Sequence, residues 1–406
     1  MKRSTDRILT THTGSLVRPP ELIDVMMAQQ QDQPFDEGAF ATALPIAVAE
    51  VVRKQAEAGV DIVSDGEYGK LGFWSYARTR LRGLESGPLR PGEIAIAGGQ
   101  DRKTFQEFYA QYDKFQNTIW MPPSSQASQE PANLVRTVCN GPVSYQGKAA
   151  FQRDADNFRA ALASVNVEEA FIPAVSPSMV EYAAKNEYFP SDEEYVYALA
   201  DALKEEYNAI VDAGFLLQID APELPATYDR ILGGDGDLRD YHRYAATRVE
   251  AINHALEGIP EEKVRYHICW GSWNAPHTTD VPLKDVLDLL LTVRAQAYSI
   301  EAANPRHEHE FQIWEDVKLP DGKVLIPGVI AHTTNVVEHP ELVAMRIKNF
   351  ARLVGRENVI GGTDCGFSQS WNSIRVHPSV QWAKLGALAE GARLATEELW
   401  GKKVAH

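Results

Sequence analysis

The chain has 406 residues, 44% hydrophobic and 24% charged, with 28 Gly and 23 Pro, a balance that excludes collagen-like, coiled-coil and largely disordered classes. Its formal charge of −16 argues against nucleic acid or an anionic membrane as a partner, and a homo-oligomer is compatible with it. No stretch approaches the roughly 18 uninterrupted apolar residues of a membrane helix, and the basic start MKRSTDRILTTHTGSL lacks the apolar segment and cleavage site of a signal peptide, so the expectation is a cytoplasmic protein.

Taken in chain order, a strand pattern at Ile8–Thr13 is followed by an amphipathic helix at Leu44–Glu57 and a second strand at Asp61–Asp65. A long irregular stretch, Gly83–Asn133, leads into a strand at Arg136–Val143. Strands at Ala170–Val175, Phe215–Asp220, Val264–Cys269, Ala297–Glu301, Val324–Ile330 and Asn358–Thr363 then alternate with helical patterns such as Asp192–Asp212, Asp240–Leu256, Leu283–Arg294 and Glu341–Leu353. Such alternation means parallel strands joined by crossover helices. Nine strands are one too many for an eight-stranded barrel, and Arg136–Val143 is the odd one out. The segment PGEIAIAGG, Pro91–Gly99, can pair with it as an antiparallel hairpin. The expected fold is therefore α/β: a single (β/α)8 TIM-type barrel domain over residues 1–406, with an inserted hairpin excursion at about 83–145.

Polar residues cluster where the strands exit, which in such a barrel is the catalytic face. HICW places His267 and Cys269 two apart on one strand, so both side chains face the same way, toward the barrel mouth. Glu301 ends the sixth barrel strand and Cys365 the eighth. Taken singly, each thiol reads as a small buried hydrophobe and His267 as a satisfied core histidine. Converging on one point, imidazole, thiolates and carboxylate suit one Zn(II) per chain. Three cysteines, Cys139, Cys269 and Cys365, make no disulfide framework in a chain this long, and Cys139 reads as structural. A zinc ion between two thiolates is a poor Lewis acid for water but can hold a substrate thiol deprotonated, with Glu301 as the ligand that yields.

As a set and in this order, THTGSL, SDGEYGK, QIDAPEL, HICWG, IEA and GGTDCGF resemble the catalytic C-terminal barrel of the cobalamin-independent methionine synthase family. HICWGSWNAPHTTDVPL and KLPDGKVLIPGVIAHTTNVVEHPELVAMRI point to its short, single-barrel branch, which includes epoxyalkane:coenzyme M transferases. The resemblance implies zinc held by His267, Cys269, Glu301 and Cys365. It implies a homocysteine site at the backbone of Gly14 and Ser15, with Glu67 and Asp220 receiving the ammonium group. The chain departs from the family at the fourth strand, where Asp-Glu-Pro is Asp220-Ala221-Pro222, and after the seventh, where an Asp is replaced by Ala331 with His332 beside it. His332 is then the candidate proton donor. An aromatic platform for a folate is not evident near the third strand, although Tyr182 or Trp273 could serve.

The leading expectation is a methyltransferase of methionine biosynthesis: zinc-dependent S-methyl transfer to homocysteine from a methylated folate-type donor. Addition of a thiol such as coenzyme M to an epoxide is the alternative, and a non-catalytic zinc- or thiol-binding protein the third. Partners are small molecules, a thiol and an alkyl donor. Arg18 and Lys70 are divided between anion binding and solvated loop charge, and His277 between a catalytic lid residue and a cap before Asp280. HEHEF, His307–Phe311, reads as solvated surface, and GGDGD, Gly233–Asp237, as an acidic turn that would repel phosphate.

Overall fold

In the computed structural model, residues 1–30, 33–88, 99–112, 135–272, 274–371 and 373–401 are described. Their strands are β1 (Leu9–Thr10), β2 (Ile62–Val63), β3 (Leu81–Pro88), β4 (Val135–Tyr145), β5 (Glu169–Val175), β6 (Ala184–Asn186), β7 (Leu216–Asp220), β8 (Val264–Ile268), β9 (Ala297–Glu301), β10 (Val324–Ile330) and β11 (Ile360–Thr363). Eight of these form one parallel sheet in the order β1-β11-β10-β9-β8-β7-β5-β2. A parallel bridge from Thr11 to Ile62 joins its two edges and closes it into the expected (β/α)8 barrel. No helix of the described residues is long and apolar enough to cross a membrane.

Helices start where the sequence supplies caps. Ser191 accepts from the Glu194 amide at the head of Asp192–Asp212, which buries Tyr195, Val196, Leu199, Leu203, Tyr207 and Ile210 against the barrel. Asp237 and Asp240 form a reciprocal capping box for Leu238–Ala255, so the acidic turn Gly233–Asp237 starts a helix.

The excursion is built differently from the expectation. β4 pairs antiparallel with β3, which runs into the start of the stretch expected to be irregular, and pairs in parallel with β6 on its other edge. Residues 91–98 of the expected partner lie outside the described residues, and Gly99 precedes a short helix, Gln100–Thr104. The sequence LRGLESGP hides β3 because it has two glycines and no β-branched residue. Gly83, with φ of 85°, sits at a register shift where an added Cβ would lie 2.7 Å from the carbonyl oxygens of Gly141 and Pro142. Arg80, just before β3, reaches Glu206 on helix Asp192–Asp212 and Asp154 on helix Lys148–Leu162, all three buried.

Inside the barrel, side chains stack in layers. Leu9, Ile62, Phe171, Leu216, Val324 and Ile360 pack together at the lower end. Above them lie polar Thr11, Gln218, Arg265 and Ser299, all buried. Arg265 donates to Thr11 Oγ1 and the His12 carbonyl, each at 3.0 Å, and its guanidinium lies 3.8 Å over the Phe171 ring. This floor supports the strand exits that carry Asp220, His267, Cys269 and Glu301.

Candidate metal centre and active-site cavity

The ligand atoms of His267, Cys269 and Cys365 lie within 4.8 Å of one another, and all three side chains are buried. The two sulfurs are 3.7 Å apart, far beyond disulfide length, and both cysteines are free. That separation matches the edge of a tetrahedral site, about 3.8 Å for Zn–S bonds of about 2.3 Å. His267 Nδ1 pairs with Ser299 Oγ at 3.1 Å, while its buried Nε2 has no partner. With the proton on Nδ1, Nε2 presents its lone pair to the sulfurs, the arrangement of a metal-ligating histidine. The donor set therefore fits zinc.

The thiols differ electrostatically. Cys365 is held well below the ordinary thiol range by the S–H that Cys269 donates to it, which outweighs the opposing effect of burial. Ser272 Oγ also donates to it at 3.1 Å. Cys269 is pushed well above that range by the same neighbour and by burial.

Glu301 stands beside this cluster. Its Oε2 accepts from the Trp270 amide at 3.1 Å, and its Oε1 is 3.9 Å from His332 Nδ1. Its mutually close ligand atoms are those of His332 and Asp364, an adjoining buried set. Asp364 is fixed by the Ala302 and Ala303 amides at 2.8 and 2.9 Å.

A cavity of about 320 Å³ opens onto the thiols and is lined by Thr13, Ser15, Glu67, Asp220, His267, Cys269 and Cys365 among others. The Gly14–Ser15 turn is rigidly set. Gly14 has φ of 140°, and an added Cβ would lie 2.6 Å from Pro173 Cγ. The Gly14 amide donates to His12 Nδ1 at 3.2 Å, which leaves His12 Nε2–H to donate to Gln55 Oε1 at 2.7 Å. Burial holds that imidazole neutral, its pKa lowered to about 4.

Glu67 is buried rather than in a surface turn, and its backbone is left-handed with φ of 60°. Its Oε2 has no partner. Asp220 caps no helix; its Oδ1 accepts from Gln218 Nε2 at 2.7 Å. Burial pushes both carboxyls up, and for Asp220 repulsion from Glu67 adds to that.

Other expected site residues fall elsewhere. Arg18 is not a solvated loop charge: it is buried and donates to the backbone carbonyls of Ser368, Glu67 and Lys70 at 3.2, 2.9 and 3.0 Å, tying two loops together. Lys70 is buried as well and donates to the Pro173 carbonyl, with Glu67 Oε1 at 3.8 Å. Neither lines the cavity, and neither do His332 and His277. His277 pairs with Asp280 at 3.1 Å, and Asp280 with His307 at 3.0 Å. His307 is buried, stacked 3.8 Å from the Trp270 ring, which corrects the expectation of solvated surface there. Cys139 is buried on β4, as expected of a structural residue.

Sequence reasoning missed Phe73, Trp74, Glu223, Gln369 and Arg375, all on the cavity wall. Phe73 and Trp74 follow SDGEYGK almost directly, and Gln369 follows GGTDCGF, so reading each exit loop a few residues further would have found them. Tyr182 does line the cavity, and Trp273 lies outside the described residues.

The family described as cobalamin-independent synthase, catalytic domain, matches residues 176–384, just over half of the chain and including all four expected zinc ligands. The chain belongs to this family. A methionine synthase of Thermococcus kodakarensis is 23% identical over 392 residues, covering 96% of this chain and 94% of that protein. An uncharacterised Bacillus subtilis protein is 26% identical over 354 residues, 83% of this chain and 81% of its own length. Among solved structures, a B12-independent methionine synthase from Shewanella, in complex with selenomethionine, superposes with a TM-score of 0.70 at 20% identity, covering 98% of this chain and 100% of that one. At that identity the likeness shows the barrel fold.

Proposed function

We propose that the chain works as one zinc-binding barrel domain that transfers a methyl group to a thiol, with homocysteine as acceptor and an N-methylated, folate-type donor. The observation that carries this is the pair of buried sulfurs 3.7 Å apart beside a partnerless His267 Nε2, on the wall of a cavity that also holds Glu67 and Asp220. Family membership and relatives named methionine synthases support the same reading.

A zinc ion held by His267, Cys269, Cys365 and Glu301 supplies the positive charge that keeps a substrate thiol deprotonated at neutral pH. Ser299 would orient the imidazole, and the Trp270 amide would hold the Glu301 carboxylate in position beside the metal. Two carboxylates that repel each other on one wall gain from a cation between them, so Glu67 and Asp220 suit the ammonium of an amino-thiol. The amides around Gly14 and Ser15 serve its carboxylate. Phe73, Trp74 and Tyr182 offer faces for a flat donor. An anionic thiol such as coenzyme M would meet those carboxylates, and the relatives lend no support to epoxide opening.

The test is calorimetry of the zinc-loaded protein with a panel of thiols, in buffers of different ionisation enthalpy. Homocysteine should bind with close to one proton released per thiol at neutral pH. X-ray absorption should gain one sulfur and lose one light neighbour, with Glu301 the ligand displaced. Binding without proton release and with an unchanged metal shell sinks the proposal.

A further inference from the structure

A neutral N-methyl amine cannot give its methyl group to a thiolate unless its nitrogen is protonated, because the leaving group would otherwise be an amide anion. The proposed reaction therefore needs an acid on the cavity wall, apart from the groups that hold the thiol. The two positions where the family offers acids are Ala221 and Ala331, and His332, beside the second, does not line the cavity. Among the described residues the carboxyl groups that line it are Glu67, Asp220 and Glu223, and the first two face the amino-thiol in the reading above.

We propose that Glu223, two positions beyond Ala221, is the acid that protonates the leaving nitrogen of the methyl donor. This rests on the function proposed above. Glu223 is 1% exposed, at the first turn of the helix Glu223–Gly233 that follows β7. Its Oε1 accepts from the hydroxyls of Ser176, at 3.1 Å, and Ser178. Its Oε2 is buried and has no partner. Two donors on Oε1 make that oxygen the carbonyl end, so in the acid form the proton sits on Oε2 with no protein acceptor. A buried donor left unsatisfied in this way is completed by an acceptor on a ligand.

The surroundings keep the proton in place until it is needed. Burial raises the group to about 7, against the pull of the Ser178 and Ser176 hydroxyls and with a push from Glu181. The other titratable groups that feel it are phenols on the packed elements: Tyr182, Tyr207, Tyr241, Tyr244 and Tyr266, all shifted upward and neutral at this pH. In the step, the C–S bond forms, the C–N bond breaks with its electron pair going to nitrogen, and the Oε2 proton moves to that nitrogen. The resulting carboxylate keeps both serine hydroxyls and is reprotonated from solvent. Over the cycle, the proton lost by the thiol balances the one gained by the amine.

The experiment compares zinc-loaded wild type with Glu223→Gln on two donors, an N-methyl tetrahydrofolate and an S-methyl sulfonium, whose neutral sulfide leaves without a proton. We expect Glu223→Gln to lose at least about 100-fold in single-turnover rate with the N-methyl donor and to stay within about threefold of wild type with the sulfonium. The wild-type rate with the N-methyl donor should fall as pH rises through about 7. Ser178→Ala, which keeps the carboxyl but removes a hydroxyl that stabilises its charged form, should move that limb to higher pH. Infrared difference spectra on 13C-glutamate-labelled protein should show a protonated carboxyl near neutral pH that vanishes in Glu223→Gln. An equal loss with both donors, an unchanged rate with the N-methyl donor, or a limb unmoved by Ser178→Ala overturns the assignment. If wild type uses only the sulfonium, the assignment falls and thiol activation stands; if it uses neither, the function proposed above falls first.

Discussion

At the candidate metal centre the proposed ligands are unequal, and their removal should show it. Under the proposed zinc function, Cys269 and Cys365 would supply both sulfurs, whereas His267 would supply one nitrogen, its other ring nitrogen being held by Ser299. Wild type should carry one tightly bound zinc per chain. Cys269→Ser with Cys365→Ser should abolish that, and His267→Ala, which leaves three ligands, should weaken it less; metal analysis after dialysis against a chelator checks the order. If the doubly substituted protein holds added zinc as well as wild type, the centre is misassigned. If Glu67 and Asp220 hold the ammonium group as proposed, Glu67→Gln and Asp220→Asn each remove a charge-assisted contact worth about 1.5–3 kcal/mol. Each should raise the KM for homocysteine roughly ten- to hundredfold. A thiol lacking the amino group should be indifferent to both changes.

Elements meet at a few buried polar joints, and these should be sensitive. Arg80 ties the start of β3 to Glu206 and Asp154 on two helices, with all three side chains nearly inaccessible. Arg80→Met leaves buried Glu206 without its ion pair and Asp154 with Arg153 alone, and removing the partner of a buried carboxylate costs about 3–5 kcal/mol. Urea unfolding should show this loss in midpoint, and a change under about 1 kcal/mol would mean the triad is dispensable. At the β1 exit, Gly14→Ala combines a positive φ with a Cβ placed 2.6 Å from Pro173 Cγ. The expected cost is about 1–3 kcal/mol in stability, together with weaker homocysteine binding because Ser15 shifts.

Across the whole molecule, burying carboxyls in a cavity links stability to pH. For Glu223 the folded protein keeps its proton to about 7, whereas the unfolded chain loses it near 4.5. The native state therefore binds more protons between those values. The associated stability is fully present below pH 4.5 and is lost as pH rises through about 7, by an amount on the order of 3 kcal/mol. Urea melts of wild type and Glu223→Gln across pH 4.5 to 8 should converge or cross by that margin. Parallel curves would show that the carboxyl titrates normally in the folded protein.

Periodicity and composition by themselves determined the eight barrel strands, because β-branched runs such as Val324–Ile330 and helical patterns such as Asp192–Asp212 are local signals that packing only reinforces. The spacing of His267 and Cys269 likewise fixed their shared face, since alternation is built into a strand. Where the chain carried weak local signals, only the tertiary structure decided. LRGLESGP becomes a strand through its pairing with β4, despite its glycines. Arg18 and His307, polar enough to read as surface, are buried because carbonyls in one case and carboxylates with an indole face in the other satisfy them. The meeting of Cys269 with Cys365, 96 residues apart, requires the barrel to close, and so does the cavity that makes Glu223 an acid rather than one more helical glutamate. Burial depends on what the rest of the chain brings alongside, and that is information no local window contains.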